Sequence, residues 1–140
     1  MHPFQQEIST RLAALRPVNI DTRRKELSDL YFYVLPYEYQ QEGLPLSDHD
    51  VAFLDLYHER SHDLKARYMP ALLDVAAQVC PDAEREHGAP PEDLLELNCI
   101  LLPPTDSDTH WELDLSFPFH ETIFHVRFDG WAFTGIGQTD

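Results

Sequence analysis

The residues best suited to chemistry by type and spacing are His58-Glu59-Arg60-Ser61-His62. Two histidines at i and i+4 share a helix face and can offer imidazole nitrogens to one zinc ion, while the glutamate between them can activate a metal-bound water. On that reading His58 and His62 are ligands, Glu59 is the general base, and a downstream acid, Glu84 or Glu86, completes the set. The same stretch carries a second pattern. Asp55, Glu59 and Asp63 recur at i, i+4 and i+8, with Asp48 and Asp50 ahead of them, so their carboxylates are expected along one exposed helix edge. Like charges so spaced cost about 0.2–0.5 kcal/mol per pair, and a basic partner would relieve that repulsion. Tyr37 and Tyr39, in the loop before this helix, add aromatic contacts to the same candidate surface.

The His58–His62 pentapeptide resembles the signature of the zincin metallopeptidases, and the resemblance implies a zinc-dependent hydrolase. It covers five residues, and three features oppose it. Arg60 and Asp63 are charged, whereas zincin helices usually carry uncharged residues around the motif. Zincins commonly place their sheet before this helix, and here the strand signals follow it. Advancing 100° per residue, Phe53, Leu56, Tyr57, Leu64 and Tyr68 cluster on one side, while His58 and His62 fall roughly 120–160° away and face solvent. Other candidates are weaker. His110, His120 and His125 surround one hairpin, but His120 is expected in a turn and His125 on the outer face opposite Ser116. Cys80 has no local nucleophile motif and reads as a buried structural thiol. Gly135-Ile136-Gly137 precedes no helix and so is no phosphate loop.

Charge narrows the function classes. Ten Lys and Arg against 25 Asp and Glu leave −15. Residues 1–40 hold five of each sign, so residues 41–140 carry the whole excess. Such a chain is poorly suited to a phosphate backbone or an anionic membrane and well suited to a basic protein. No apolar run approaches the roughly 18 residues needed to span a bilayer. The start, Met1-His2-Pro3-Phe4, lacks a basic region followed by an apolar one, so the expectation is a cytoplasmic protein. Two cysteines, Cys80 and Cys99, are too few for a disulfide framework, and whether they pair is open.

The elements that must position these residues follow from hydrophobic period. Phe4, Ile8, Leu12 and Leu15 predict a helix over 3–15, ended by Pro17. Asp21 is the expected N-cap of a second helix, 22–35, with Leu27, Leu30, Tyr31 and Val34 as its stripe. Ser47-x-x-Asp50 resembles a capping box and opens a helix over 48–68, and Pro70 starts another over 70–80. Strands are predicted at 97–102, 111–119, 122–128 and 131–135. With the first hairpin turn centred on His120-Glu121, Leu115 faces Val126 and Leu113 faces Phe128, while Asp114 faces Arg127 on the outer side. Asp129-Gly130 is the expected two-residue turn of the next hairpin, setting Phe128 against Trp131.

Helices first and an antiparallel meander last predict one α+β domain over 1–140, its helices covering the aromatic face of a sheet of about four strands. In size, acidity, layout and lack of a firm catalytic motif the chain resembles the immunity proteins that bacteria keep in the cytoplasm against their own toxins. Phage-encoded nuclease inhibitors share these traits. The resemblance implies a toxin inhibitor with no cofactor, binding a basic, nuclease-like protein rather than nucleic acid or membrane. Asp48, Asp50, Asp55, Glu59, Asp63, Tyr37 and Tyr39 are then the expected partner contacts. The alternative is the zinc hydrolase at His58–His62.

Overall fold

The computed structural model describes residues 2–31, 33–35, 46–104 and 109–140. Helices α1 (Pro3–Leu15) and α2 (Ile20–Leu30), strand β1 (Val34–Leu35) and the long helix α3 (Asp48–Val79) come first. Short helices α4 (Ala83–His87) and α5 (Pro91–Leu94) lead into β2 (Glu96–Leu101), β3 (His110–Ser116), β4 (Ile123–Asp129) and β5 (Ala132–Thr139). The strands lie in the order β1-β2-β3-β4-β5, with β2 to β5 antiparallel and β1 added parallel to β2. The N-terminal helices pack against this sheet, and the architecture is α+β.

Local chemistry accounts for most helix ends. Pro3 occupies the first turn of α1, where its missing N–H costs nothing, and His2 Nδ1 accepts from Phe4 N at 3.1 Å. The cap of α2 is Asn19 rather than Asp21: its side chain accepts from the N–H groups of Asp21 and Thr22, and its φ of 79° is one that asparagine tolerates. Nor does α2 run to residue 35. It stops at Leu30, and Val34 and Leu35 pair with Ile100 and Leu101 instead. A residue before proline disfavours the helical region, and Leu35 precedes Pro36. At α3 the capping box is complete, Ser47 and Asp50 each accepting from the other's backbone N–H. Pro70 does not start a new helix; α3 passes through it for 32 residues. Buried Tyr68, Met69, Leu72 and Ala76 on either side hold that path despite the lost backbone hydrogen bond.

The aromatic face of the sheet is covered as expected. Phe53 of α3 stacks on Trp131 at 5.4 Å and meets Trp111 edge-on at 4.9 Å, while Phe4 of α1 meets Trp131 at 5.0 Å. Leu113, Phe124, Val126 and Phe128 have no exposed surface. The hairpin register, however, differs from the predicted one by two residues. Leu113 faces Val126, Leu115 faces Phe124 and Trp111 faces Phe128, because Phe117 to Thr122 form a six-residue connection in place of a tight turn. An even slip keeps every apolar residue on the core face, so the hydrophobic pattern is blind to it. The next turn is centred on Gly130-Trp131, with Gly130 at φ 60°, the conformation a first central glycine supplies. Phe128 consequently faces Phe133, not Trp131, and β5 runs on through Gly135-Ile136-Gly137 to Thr139.

Candidate functional site

The acidic edge predicted on α3 is largely neutralised from within the chain. Asp55 is 2% exposed, and its carboxylate accepts from the guanidinium groups of Arg11 on α1 and Arg23 on α2. Arg11 also pairs with Glu59, and Arg24 with Asp48. Asp50 is 6% exposed and spent in the helix cap. Asp55 and Asp50 therefore do not stand on an exposed edge, because α1 and α2 lie against that side of α3 and residues 51–57 are buried all round. Asp63 remains exposed. Tyr37 and Tyr39 lie outside the described residues.

His58 and His62 are both exposed, as the helical wheel requires. His58 Nδ1 lies 2.7 Å from the Tyr31 hydroxyl, and its ring meets Tyr31 edge-on. The motif is thus not matched by a third ligand: among the described residues, no group of three His, Cys, Asp or Glu includes this pair with all ligand atoms within 4.8 Å of one another. Cys80 and Cys99 are not joined by a disulfide, and both are partly buried. Burial and the neighbouring Glu86 push the Cys80 thiol up, which keeps it protonated.

More exposed acid lies in the segment between α3 and β2. Residues 82–96 contain Asp82, Glu84, Glu86, Glu92, Asp93 and Glu96, all exposed, against Arg85, which pairs with Asp82 at 3.0 Å. In the middle of this stretch the His87 ring stacks on Phe119, with centroids 3.6 Å apart and planes at 13°. Phe119 is 37% exposed and stacks in turn on buried Phe117 at 5.0 Å. Glu84 and Glu86 precede His87 in α4, and Glu121 follows Phe119 in its connection. Glu96 stands opposite Ser116, at the strand end from which that connection leaves. The chain therefore presents a half-exposed aromatic stack on segments that also carry exposed carboxylates. The contact between His87 and Phe119 spans 32 residues and leaves no local signature in the sequence.

On the open face of the sheet the two-residue slip creates a cluster the predicted register did not contain. His125 faces Asp114 rather than Ser116, and Glu112 lies diagonally across. His125 Nδ1 is 2.8 Å from Asp114 Oδ1 and 2.8 Å from Glu112 Oε2, and its Nε2 is 2.8 Å from Thr139 Oγ1. Desolvation and the adjacent Asp114 push the Glu112 carboxyl up to about 7, against the pull of His125. These three are the group among the described residues whose ligand atoms all lie within 4.8 Å of one another. His120 is not part of it; its Nδ1 accepts from Thr122 N within its own turn. Arg127, expected opposite Asp114, faces Glu112 but lies over Gly137, where an added Cβ would stand 2.7 Å from its Nη2.

Comparison with protein-family models, with curated proteins and with solved structures gave no match. Among the described residues no helix is long and apolar enough to cross a membrane.

Proposed function

We propose that this chain is an acidic binding protein that occludes a basic partner protein, in the manner of an immunity protein inhibiting a nuclease-like toxin. The observation that supports the reading is the exposed His87–Phe119 stack, which joins two segments that also carry exposed Glu84, Glu86 and Glu121. An aromatic anchor on a surface that carries exposed acid suits tight, steered association: carboxylates raise the on-rate and select sign, and the ring supplies the desolvated contact. The surface differs from the one read from sequence. Buried Asp55 is committed to arginines of α1 and α2 and docks those helices, while half-exposed Glu59 and Asp48 pair with Arg11 and Arg24. Asp63 can still extend the contact.

The experiment is co-purification of the tagged chain from its native host at low and high salt, with metals assayed in the same fractions. The reading predicts a single basic protein, released as salt rises past the point where the screening length falls below about 8 Å. It also predicts loss of that protein from the Phe119→Ala and Glu84→Lys/Glu86→Lys variants. Retention by both variants contradicts it. The zinc-hydrolase alternative predicts instead stoichiometric zinc that His58→Ala removes, with no partner.

A further inference from the structure

We propose that Glu112, Asp114 and His125 form a divalent-metal site on the open face of the sheet, built of one imidazole nitrogen and two carboxylate oxygens. The inference does not rest on the binding reading. Residues 112 and 114 project from one face of β3, and His125 projects from β4 opposite Asp114 and diagonal to Glu112, so the backbone ladder itself sets the three side chains together. An ion bonded to each at about 2.1 Å at right angles needs ligand atoms about 3.0 Å apart. The Nδ1 to Oδ1 and Nδ1 to Oε2 separations are both 2.8 Å.

Two further features fit a cation better than a proton. One Nδ1–H can point well at one oxygen, yet two carboxylates converge on it. Thr139, on a third strand, stands 2.8 Å from Nε2. A hydroxyl there can accept Nε2–H and so fix the tautomer whose Nδ1 lone pair faces the carboxylates, the outer support that metal-binding histidines use. The donor set of one imidazole and two carboxylates favours a first-row ion such as Zn²⁺ or Co²⁺ over Mg²⁺ or Ca²⁺. The cluster is partly exposed, with side-chain exposures of 24%, 17% and 18% for Glu112, Asp114 and His125, so its remaining coordination positions are open to water.

The test uses the full chain, stripped with chelator and titrated with CoCl₂ by visible absorption and with ZnCl₂ by calorimetry. One saturable equivalent is expected, weakened at least about 10-fold in the near-isosteric Asp114→Asn and Glu112→Gln and in His125→Ala, and about 10-fold in Thr139→Val. His58→Ala/His62→Ala is expected to bind as the parent does. A second readout needs no variant: in the parent, paramagnetic Co²⁺ should shift the ring resonances of His125 ahead of those of the other seven histidines. The proposal is overturned by absence of saturable binding, by binding that survives Asp114→Asn, or by Co²⁺ shifts centred on His58 and His62.

Discussion

Replacing Asp55 by asparagine separates a structural carboxylate from a partner-binding one. Its side chain is 3% exposed and is held by Arg11 and Arg23, whose side chains are 30% and 24% exposed. Removing one member of a fully buried pair costs about 3–5 kcal/mol, because the other charge is stranded. Here the stranded groups can turn towards water, and they keep Glu59 and Glu26 as partners, so about 2–3 kcal/mol is expected for Asp55→Asn. The reverse perturbation is harsher: Arg11→Met/Arg23→Met leaves the buried carboxylate alone and should cost about 3–5 kcal/mol. Glu59→Gln, at 49% side-chain exposure, should cost under about 1 kcal/mol. Urea unfolding followed by circular dichroism at constant m-value reads all three. An Asp55→Asn midpoint within about 0.5 kcal/mol of the parent, or an arginine double variant milder than Asp55→Asn, would refute the reasoning that this carboxylate docks α1 and α2.

Pro70 interrupts the hydrogen bonding of α3 at an exposed position, so Pro70→Ala should stabilise the chain by about 1–3 kcal/mol and raise Tm; a drop in Tm would mean that the proline shapes the helix path. Phe53→Ala empties the contact among Trp111, Trp131 and Phe4 and should cost about 3–5 kcal/mol in the same urea experiment, and a cost below 1 kcal/mol would contradict the packing described. Burial pushes the Tyr68 phenol up to about 12 from an ordinary value of 10.0. The unfolded chain then releases this proton first, so stability falls as pH rises from about 10 to 12, by up to about 2.7 kcal/mol from this group. Tyr68→Phe should lose that part of the alkaline slope, and an unchanged slope would place the ring in water.

Local signals and tertiary ones divide cleanly among the residues. The Phe4, Ile8, Leu12 and Leu15 period and the Ser47–Asp50 box are short-range signals, and the starts of α1 and α3 were legible from them. The alternation of Trp111, Leu113 and Leu115 named the buried face of the sheet, but not its register, since a slip by two preserves the alternation. That slip is what turns an expected Asp114–Arg127 pair into the Glu112–Asp114–His125 cluster. Strand β1 has two residues and exists through its pairing with Ile100 and Leu101, so nothing within it announces a strand. The neutralised edge of α3 was illegible for a similar reason: Arg11 and Arg23 reach Asp55 across 44 and 32 residues, and a helical wheel places a carboxylate on a face without showing what covers that face.

The binding account is tested most directly by the affinity of the chain for the basic protein it retains from its host, measured by calorimetry at about 50 and 200 mM salt. Parent and Phe119→Ala, Glu84→Lys/Glu86→Lys and Asp63→Lys variants are compared. The account predicts weaker binding at the higher salt, a loss of about 2 kcal/mol or more, roughly 30-fold, on removing the Phe119 ring, and a shallower salt dependence after the double reversal on α4. Asp63→Lys should have the smallest effect of the three. Affinity that is indifferent to Phe119, Glu84 and Glu86, or a chain that retains no basic protein at all, would contradict it.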